Sequence, residues 1–214
     1  SGLNFLGYKL TNSSGSHIVL NLAGGSITGT GTVAMVTKSS SGSSGRIEIQ
    51  TTNDVDCGAL MTGTAASSGS FTGDILIGGT NSRAGNIRVN SLDTHMDADS
   101  ISAGMVVVYG RGYVRILDGG GAASDILTWT RRNGQANITD VIGSVTVVHD
   151  GEFVARNIYT YHVNDNTSRG GHVLLNGDGA GNGASGACSV TNIYTYSSLT
   201  GVYGARGGNV TISG

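Results

Sequence analysis

The sequence lacks proline entirely, whereas a chain of 214 residues would ordinarily contain about ten. Proline cannot donate a ladder hydrogen bond, so its absence is compatible with many short strands whose N–H groups are all paired. Glycine is abundant, with 37 residues, but shows no strict Gly-X-Y repeat, which excludes a collagen triple helix. Glycine accompanied by serine, threonine and asparagine therefore indicates tight turns between strands.

Charged residues and long apolar runs are also scarce. Charged residues make up 12% of the chain, about half the usual share, and the net charge is −2. Because there is no basic patch, we expect no nucleic-acid partner. No apolar run approaches ~18 residues, so we expect no membrane span. The chain begins at Ser1 without a signal peptide and stops inside a strand pattern, and we interpret it as a mature product or an excised piece of a longer protein.

Only two cysteines are present, Cys57 and Cys188, and two do not fix the redox compartment. In the repeat described next they lie four strand spacings apart, about 19 Å at roughly 4.8 Å per spacing. A disulfide needs Cα atoms within about 7 Å, so we predict that both cysteines are unpaired within one chain.

A five-residue segment recurs along the chain. Asn-Ile-Tyr-Thr-Tyr at Asn157–Tyr161 is repeated letter for letter at Asn192–Tyr196, and weaker copies lie at 125–129, 91–95 and 59–63. With Ile27 as a degenerate first copy, the aliphatic positions are residues 27, 60, 92, 126, 158 and 193, and their spacings are 33, 32, 34, 32 and 35. A period of this length indicates a stack of structural repeats.

A second strand family opens each time with glycine and carries aliphatic residues at the second and fourth positions after it, as in Gly73–Ile77 and Gly143–Val147. This period of two predicts strands, and no stretch shows sustained helical periodicity. We therefore predict an all-β fold class, a single-domain parallel β-helix (β-solenoid), right-handed, with about six coils of ~33 residues. The domain would occupy residues 1–214, with 1–16 as an N-terminal cap or extension and an uncapped C-terminal coil. An antiparallel β-sandwich is the alternative, but it does not explain the near-constant spacing.

Two glycine-rich units carry a family resemblance. The sequences Arg-Gly-Gly-His-Val-Leu-Leu at 169–175 and Arg-Gly-Gly-Asn-Val-Thr-Ile at 206–212 share the form Arg-Gly-Gly-x-Val-x-aliphatic. This form resembles the coils of secreted β-solenoids of the filamentous-haemagglutinin-like adhesin and autotransporter-passenger type, over about residues 45–214. The resemblance implies an extracellular or cell-surface location and a structural or adhesive role, and it supplies no catalytic residues.

The repeated segment has two faces, because residues i and i+2 of a strand point the same way. One face would form a core ladder of aliphatic and threonine residues, and the other an aromatic strip with the only tryptophan and four of the eight tyrosines. The predicted core ladder comprises Leu60, Leu92, Ile126, Ile158, Ile193, Thr62, Thr94, Thr128, Thr160 and Thr195. The predicted strip comprises His95, Trp129, Tyr159, Tyr161, Tyr194 and Tyr196.

Three interpretations of the aromatic strip remain open. A side loop could cover it or it could pack as a second small core, it could be a protein–protein interface, or it could stack on sugar rings. The two faces could also be reversed, with aromatic residues inside and threonines outside.

A cluster of acidic residues is the remaining candidate site. Asp93, His95, Asp97 and Asp99 alternate, so a strand would place them on one face, where carboxylates could bind calcium or cleave a glycosidic bond. No second acidic cluster obviously converges on them, and a solvated loop is the preferred interpretation. We therefore expect no enzyme activity, no metal and no cofactor, with calcium as the one candidate ion.

The sequence-based function is a non-enzymatic extracellular segment that builds a rod or fibre by stacking, with the aromatic strip available for subunit association. The expected partner is the chain itself, in a head-to-tail filament or a trimer, because an uncapped strand edge invites another strand. The alternative is a carbohydrate-binding or polysaccharide-cleaving protein of the tailspike or lyase type.

Overall fold

A computed structural model describes residues 3–4, 10–11, 15–29, 35–37, 39, 42–63, 71–99, 103–131, 143–163, 170–177, 186–198 and 207–214. These residues form strands throughout, with turns between them, and the strands are numbered in chain order. The first twelve are β1 Leu3–Asn4, β2 Leu10–Thr11, β3 Ile18–Asn21, β4 Ile27–Thr28, β5 Met35–Val36, β6 Ile47–Gln50, β7 Val55–Cys57, β8 Leu60–Met61, β9 Ile75–Ile77, β10 Ile87–Val89, β11 Leu92–Asp93 and β12 Met96–Asp99. The others are β13 Val106–Tyr109, β14 Val114–Ile116, β15 Ile126–Leu127, β16 Thr130–Arg131, β17 Val145–Val148, β18 Phe153–Tyr159, β19 His162–Val163, β20 Val173–Asn176, β21 Cys188–Tyr194, β22 Ser197–Ser198 and β23 Val210–Ser213.

The strands pair in parallel in three sheets. The seven-stranded sheet runs β23-β20-β17-β13-β9-β6-β3, and the four-stranded sheet runs β12-β16-β19-β22. The twelve-stranded sheet contains two rows, β1-β4-β7-β10-β14 and β2-β5-β8-β11-β15, which both join the long strand β18, and β21 pairs with β18 on its other edge. Strands β21, β22 and β23 are therefore the last strands at one end of all three sheets, and we call them the end layer.

The core lies between the sheets because aliphatic side chains alternate along each strand. In β13 the inward residues Val106 and Val108 are fully buried, and β9 and β17 repeat this pattern. The bulkiest fully buried side chain is Phe153 of β18, at the junction of the two rows. Alternation of this kind is what a strand needs when one of its faces packs against a core.

A column of glycines explains why the second strand family opens with glycine. A Cβ added to Gly104 would overlap the carbonyl of Gly73, and one added to Gly208 would overlap the carbonyl of Gly171. The backbones of successive layers thus approach closely just before β6, β9, β13 and β23. Glycine is the residue that permits such an approach.

The predicted fold class, a single-domain right-handed parallel β-helix of about six coils of ~33 residues, is wrong. The strands divide among separate parallel sheets, and the largest sheet curls so that its two rows meet at β18. The residue separation of paired strands is not constant either, since it is 24 from Leu3 to Ile27 and 39 from Val106 to Val145. The prediction extrapolated one strand family to the whole chain, whereas the turns that join the strands vary in length. The structure supports all-β content with parallel strands.

Two further expectations are affected. Ile27 is not the first copy of the pentapeptide, because it pairs with Val55 in the other row, while the partner of Leu60 is Met35. The antiparallel alternative also fails, since the described strands pair in parallel. Much of the cap predicted for residues 1–16 lies outside the described residues. That residues 1–214 form one domain stays a prediction.

Candidate functional site: an aromatic row beside the end layer

The aliphatic positions of the pentapeptides lie directly above one another. Leu60 pairs with Leu92, Leu92 with Ile126, Ile126 with Ile158 and Ile158 with Ile193. The first four side chains are fully buried, and Ile193, in the end layer, is only partly buried. Burial thus decreases where no further described strand lies above.

The threonines of these segments bind the glycine column. The Oγ1 of Thr62 donates to the carbonyl of Gly73 at 2.5 Å, and the same bond joins Thr94 to Gly104 at 2.6 Å. Equivalent bonds join Thr37 to Gly45, Thr128 to Gly143 and Thr160 to Gly171. Each buried hydroxyl therefore links the segment that follows a strand of the twelve-stranded sheet to the start of the next strand of the seven-stranded sheet. Thr195 of the end layer is partly buried, and within the described chain its hydroxyl has no such bond.

The aromatic residues lie on the outer face, opposite the threonines. One column runs from His95 through Trp129 and Tyr161 to Tyr196, with ring centroids 4.9, 5.6 and 5.0 Å apart. The Trp129–Tyr161 and Tyr161–Tyr196 ring planes are within 7° and 2° of parallel. A second column consists of Tyr159 and Tyr194, 4.9 Å apart and within 3° of parallel.

The two columns meet edge to face. Tyr159 and Tyr161 are perpendicular, with planes at 83° and centroids 6.0 Å apart, and Tyr194 and Tyr196 repeat this arrangement. Both geometries are favourable for aromatic quadrupoles. Because each ring stacks on the ring of the next layer, the columns show ring edges along their length. In the part of the chain that the structure describes, Tyr194 and Tyr196 each have one ring face that no other ring covers, and Tyr196 is 49% exposed.

A polar ladder runs beside the aromatic row, at the residue before each aliphatic position. The Nδ2 of Asn192 donates to the Oδ1 of Asn157, and the Nδ2 of Asn157 donates to the Oδ1 of Asp125, both at 3.0 Å. Arg156 donates to both carboxylate oxygens of Asp125, at 2.8 and 2.6 Å. This guanidinium, with help from Asn157, lowers the pKa of Asp125, while partial burial and the nearby Asp125 raise the pKa of Tyr159.

The acidic cluster predicted on one strand face is divided in the structure. Asp93 ends β11, is buried, and accepts hydrogen bonds from the backbone N–H and the Nδ1 side of His95. Asp97 is exposed in β12, the next strand, and the side chain of Asp99 lies outside the described residues. Among the described residues no three His, Cys, Asp or Glu side chains converge as a metal site would require. The expectation of no metal, with calcium as the one candidate ion, stays a prediction.

Both cysteines are free, as predicted. Cys57 is completely buried in the core, and burial beside Asp56 raises its pKa to about 12, so its thiol is inert at neutral pH. Cys188 lies at the start of β21 in the end layer, and partial desolvation also raises its pKa.

The end layer exposes apolar residues that are buried in the layer before it. Val210 and Ile212 of β23 pair with Val173 and Leu175 of β20. The two residues of β20 are buried, whereas Val210 and Ile212 are 45% and 58% exposed. In the described part of the chain, β21, β22 and β23 each have one edge without a strand partner.

Sequence reasoning missed the asparagine ladder and the threonine–glycine bonds, although both left signals. Asn precedes Ile in both complete pentapeptides and Asp125 precedes Ile126, which is the register needed for a polar ladder. A glycine follows each pentapeptide threonine within 8 to 15 residues, at the opening of the second strand family.

No family model matches this chain, and comparisons with curated proteins and with solved structures find no match either. Within the described residues, no helix is long and apolar enough to cross a membrane.

Proposed function

We propose that this chain is a non-enzymatic structural protein that associates through its end layer, with further copies of itself added head to tail. The observation that carries the proposal is the exposure of Val210 and Ile212, whose counterparts Val173 and Leu175 are buried by the next strand. An edge of unpaired N–H and C=O groups beside exposed aliphatic residues is a template for another strand.

The opposite end of the molecule offers compatible strands. In the register of the sheets, β3 is the first strand of the seven-stranded sheet and β23 the last, and both run parallel to all strands between them. A copy that adds β3 onto β23 would form a heterologous contact, which repeats without closing. We propose an extracellular or cell-surface location for such a fibre, on the basis of the adhesin-like glycine-rich units.

Light scattering across a concentration series, combined with negative-stain imaging, tests the proposal. We expect the particle mass to grow with concentration and thin rods to appear. Ile212→Lys, which places a charge on the exposed inner side of the end layer, should suppress growth. Leu174→Lys is the matched control, because Leu174 is 37% exposed on the outer side of β20 and its strand is already paired on both edges. A monodisperse monomer at all concentrations would contradict the proposal, and a mass that stops at a trimer would indicate closed association.

Glycan binding is a second candidate function. The site that supports it is a cleft rather than the aromatic columns. The columns show ring edges, whereas a cleft of about 540 Å³ is lined by Phe71, Met105, Arg46, Asp74 and His17. Phe71 is 54% exposed there, so a sugar ring could stack on its face beside charged hydrogen-bonding groups. Polysaccharide cleavage stays the untested alternative of the sequence analysis, and in this cleft Asp74 accepts a hydrogen bond from the backbone N–H of Met105 at 2.7 Å.

Binding to a glycan array, with Phe71→Ala as the test variant and Tyr161→Ala as the comparison, separates the two locations. Loss of binding in Phe71→Ala alone would place the glycan in the cleft. Loss in Tyr161→Ala alone would place it on the aromatic row, and no binding by the unmodified chain would remove this candidate.

A further inference from the structure

Among the described residues, the strand β21 has one edge without a strand partner, and the molecule itself indicates which partner would fit that edge. Its other edge pairs in parallel with β18, and this pairing places Asn157 opposite Asn192, Ile158 opposite Ile193 and Tyr159 opposite Tyr194. Two identical pentapeptides thus lie in register. The contacts they make show what a strand of this sequence contributes to a neighbour of the same sequence.

Three contacts are made in this register. The amide ladder contributes the 3.0 Å bond from Asn192 to Asn157. The aromatic columns contribute parallel stacks at 4.9 Å between Tyr159 and Tyr194 and at 5.0 Å between Tyr161 and Tyr196. Asparagine ladders and stacked aromatic rings are the side-chain contacts that stabilise in-register parallel stacks of identical segments.

The same groups remain available on the free edge of β21. Within the described chain, the Oδ1 of Asn192 receives no hydrogen bond, since its amide is engaged only through Nδ2. Ile193 is partly buried, where Ile158 is fully buried. Tyr194 and Tyr196 each stack on one described ring, which leaves the other face of each without a described ring partner.

We propose that the free edge of β21 is a sequence-selective binding site for an extended strand of the pattern Asn-aliphatic-Tyr-Thr-Tyr, which adds in parallel and in register. The incoming asparagine would donate its Nδ2 to the Oδ1 of Asn192, and the two incoming tyrosines would stack on Tyr194 and Tyr196. This is β-strand addition, in which main-chain bonds give affinity and alternate side chains give selectivity.

The occupant is an extended segment rather than β21 of a second folded copy. In a folded copy both edges of β18 are already paired, and β21 presents only the edge that faces away from β18. Two such β21 edges can meet only when one molecule is turned over, which makes the strands antiparallel. The residues opposite β21 would then run in reverse order, so the amide ladder and the two tyrosine stacks could not continue in the same register.

This inference goes beyond the proposed function, because it names a second kind of partner, an extended strand, for the same end layer. It is tested with a fluorescein-labelled peptide of the sequence from Ser189 to Ser198, titrated with the intact chain and followed by fluorescence anisotropy. The matched control peptide keeps the composition but carries Asn-Tyr-Ile-Tyr-Thr at its centre. That order exchanges the two faces of the strand, as a one-residue slip would.

We expect saturable binding of the first peptide and at least about tenfold weaker binding of the control, because the control would place its tyrosines toward the core and lose both stacks. Tyr196→Ala and Asn192→Ala in the protein should each weaken binding severalfold. Tyr113→Ala, which removes a ring from a different row near Arg115, should leave binding unchanged. Circular dichroism of each variant checks that the strands are retained.

Equal binding of the two peptides, or no saturation up to about 1 mM peptide, would overturn the inference. Light scattering on the same samples keeps this result separate from the proposed function. Selective peptide binding by a chain that stays monomeric would support the inference and contradict self-association. Growth of the particle mass without selective peptide binding would support self-association and overturn the inference.

Discussion

The pentapeptides Asn157–Tyr161 and Asn192–Tyr196 have identical sequences but different environments. Ile158 is fully buried and Thr160 is 1% exposed, whereas Ile193 and Thr195 are partly buried and Tyr196 is 49% exposed. The difference cannot come from local propensity, because the residues are the same. It comes from the layer above, which the first segment has and the second does not have in the described chain. In this fold a layer completes the burial of the one before it.

The two pentapeptides should differ most in the loss of stability that a charge in the aliphatic ladder causes. Ile158→Asp would bury an unpaired carboxylate between Ile126 and Ile193, and we expect it to lower the free energy of unfolding by more than about 4 kcal/mol or to prevent folding. Ile193→Asp should cost less than half as much, because water reaches that side chain. Urea unfolding monitored by circular dichroism measures both. Equal costs would mean that the end layer is covered in solution.

Removal of a ring should give the next largest difference. Tyr161→Ala removes parallel stacks with both Trp129 and Tyr196, whereas Tyr196→Ala removes one parallel stack, with Tyr161, and each variant also loses one edge-to-face contact. At about 0.5–1.5 kcal/mol per aromatic contact, Tyr161→Ala with three contacts should cost about 1.5–4.5 kcal/mol and Tyr196→Ala with two contacts about two thirds of that. Chemical unfolding of the two variants measures the ratio, and a larger loss in Tyr196→Ala would contradict the column arrangement.

The threonine hydroxyl should show a smaller difference. Thr160→Val keeps the shape of the side chain but leaves the carbonyl of Gly171 without its 2.7 Å donor, so we expect a loss of about 1 kcal/mol. Thr195→Val should be close to neutral, since Thr195 makes no such bond to a described glycine. Thermal unfolding of both variants provides the measurement. A matching loss at Thr195 would show that its hydroxyl is engaged.

The polar ladder should have the smallest effect on stability, and that effect should depend on pH. Arg156 lowers the pKa of Asp125 in the folded state, so the stability from this contact is complete above the ordinary carboxyl pKa near 4 and is lost as the pH falls through the lowered folded value. Asp125→Asn should lower the melting temperature by roughly 1–3 °C at neutral pH. The two proteins should converge near pH 2, and a constant difference down to that pH would contradict the ion pair.

Much of the strand pairing could be predicted from the sequence, because identical or similar segments mark equivalent positions. Residues 60, 92, 126, 158 and 193 pair as their spacing suggested. The first position could not be found by spacing, since Met35 lies only 25 residues before its partner Leu60, although Met35 followed by Thr37 has the required aliphatic–x–threonine form. Likewise, the curl of the largest sheet depends on β18 pairing with three strands, and no local pattern in Phe153–Tyr159 specifies three partners.

The candidate site was predictable in composition but not in geometry. Alternation placed the tyrosines, Trp129 and His95 on one strand face, while the orientation of the rings, edge outward and face to face, depends on packing between layers. The Asp93–His95 contact also required the structure, because a turn after β11 brings the carboxylate onto the backbone of His95.

The position of Trp129 allows its fluorescence to report how far unfolding has progressed from the end layer. The indole lies between the rings of His95 and Tyr161, two layers away from the end layer. Fraying that begins at the end layer would first change the tyrosine near-ultraviolet signal of Tyr194 and Tyr196, while the tryptophan emission stays constant. The emission would shift only when the loss of structure reaches Tyr161, so the order of the two signals in one unfolding experiment reports the direction in which the layers come apart.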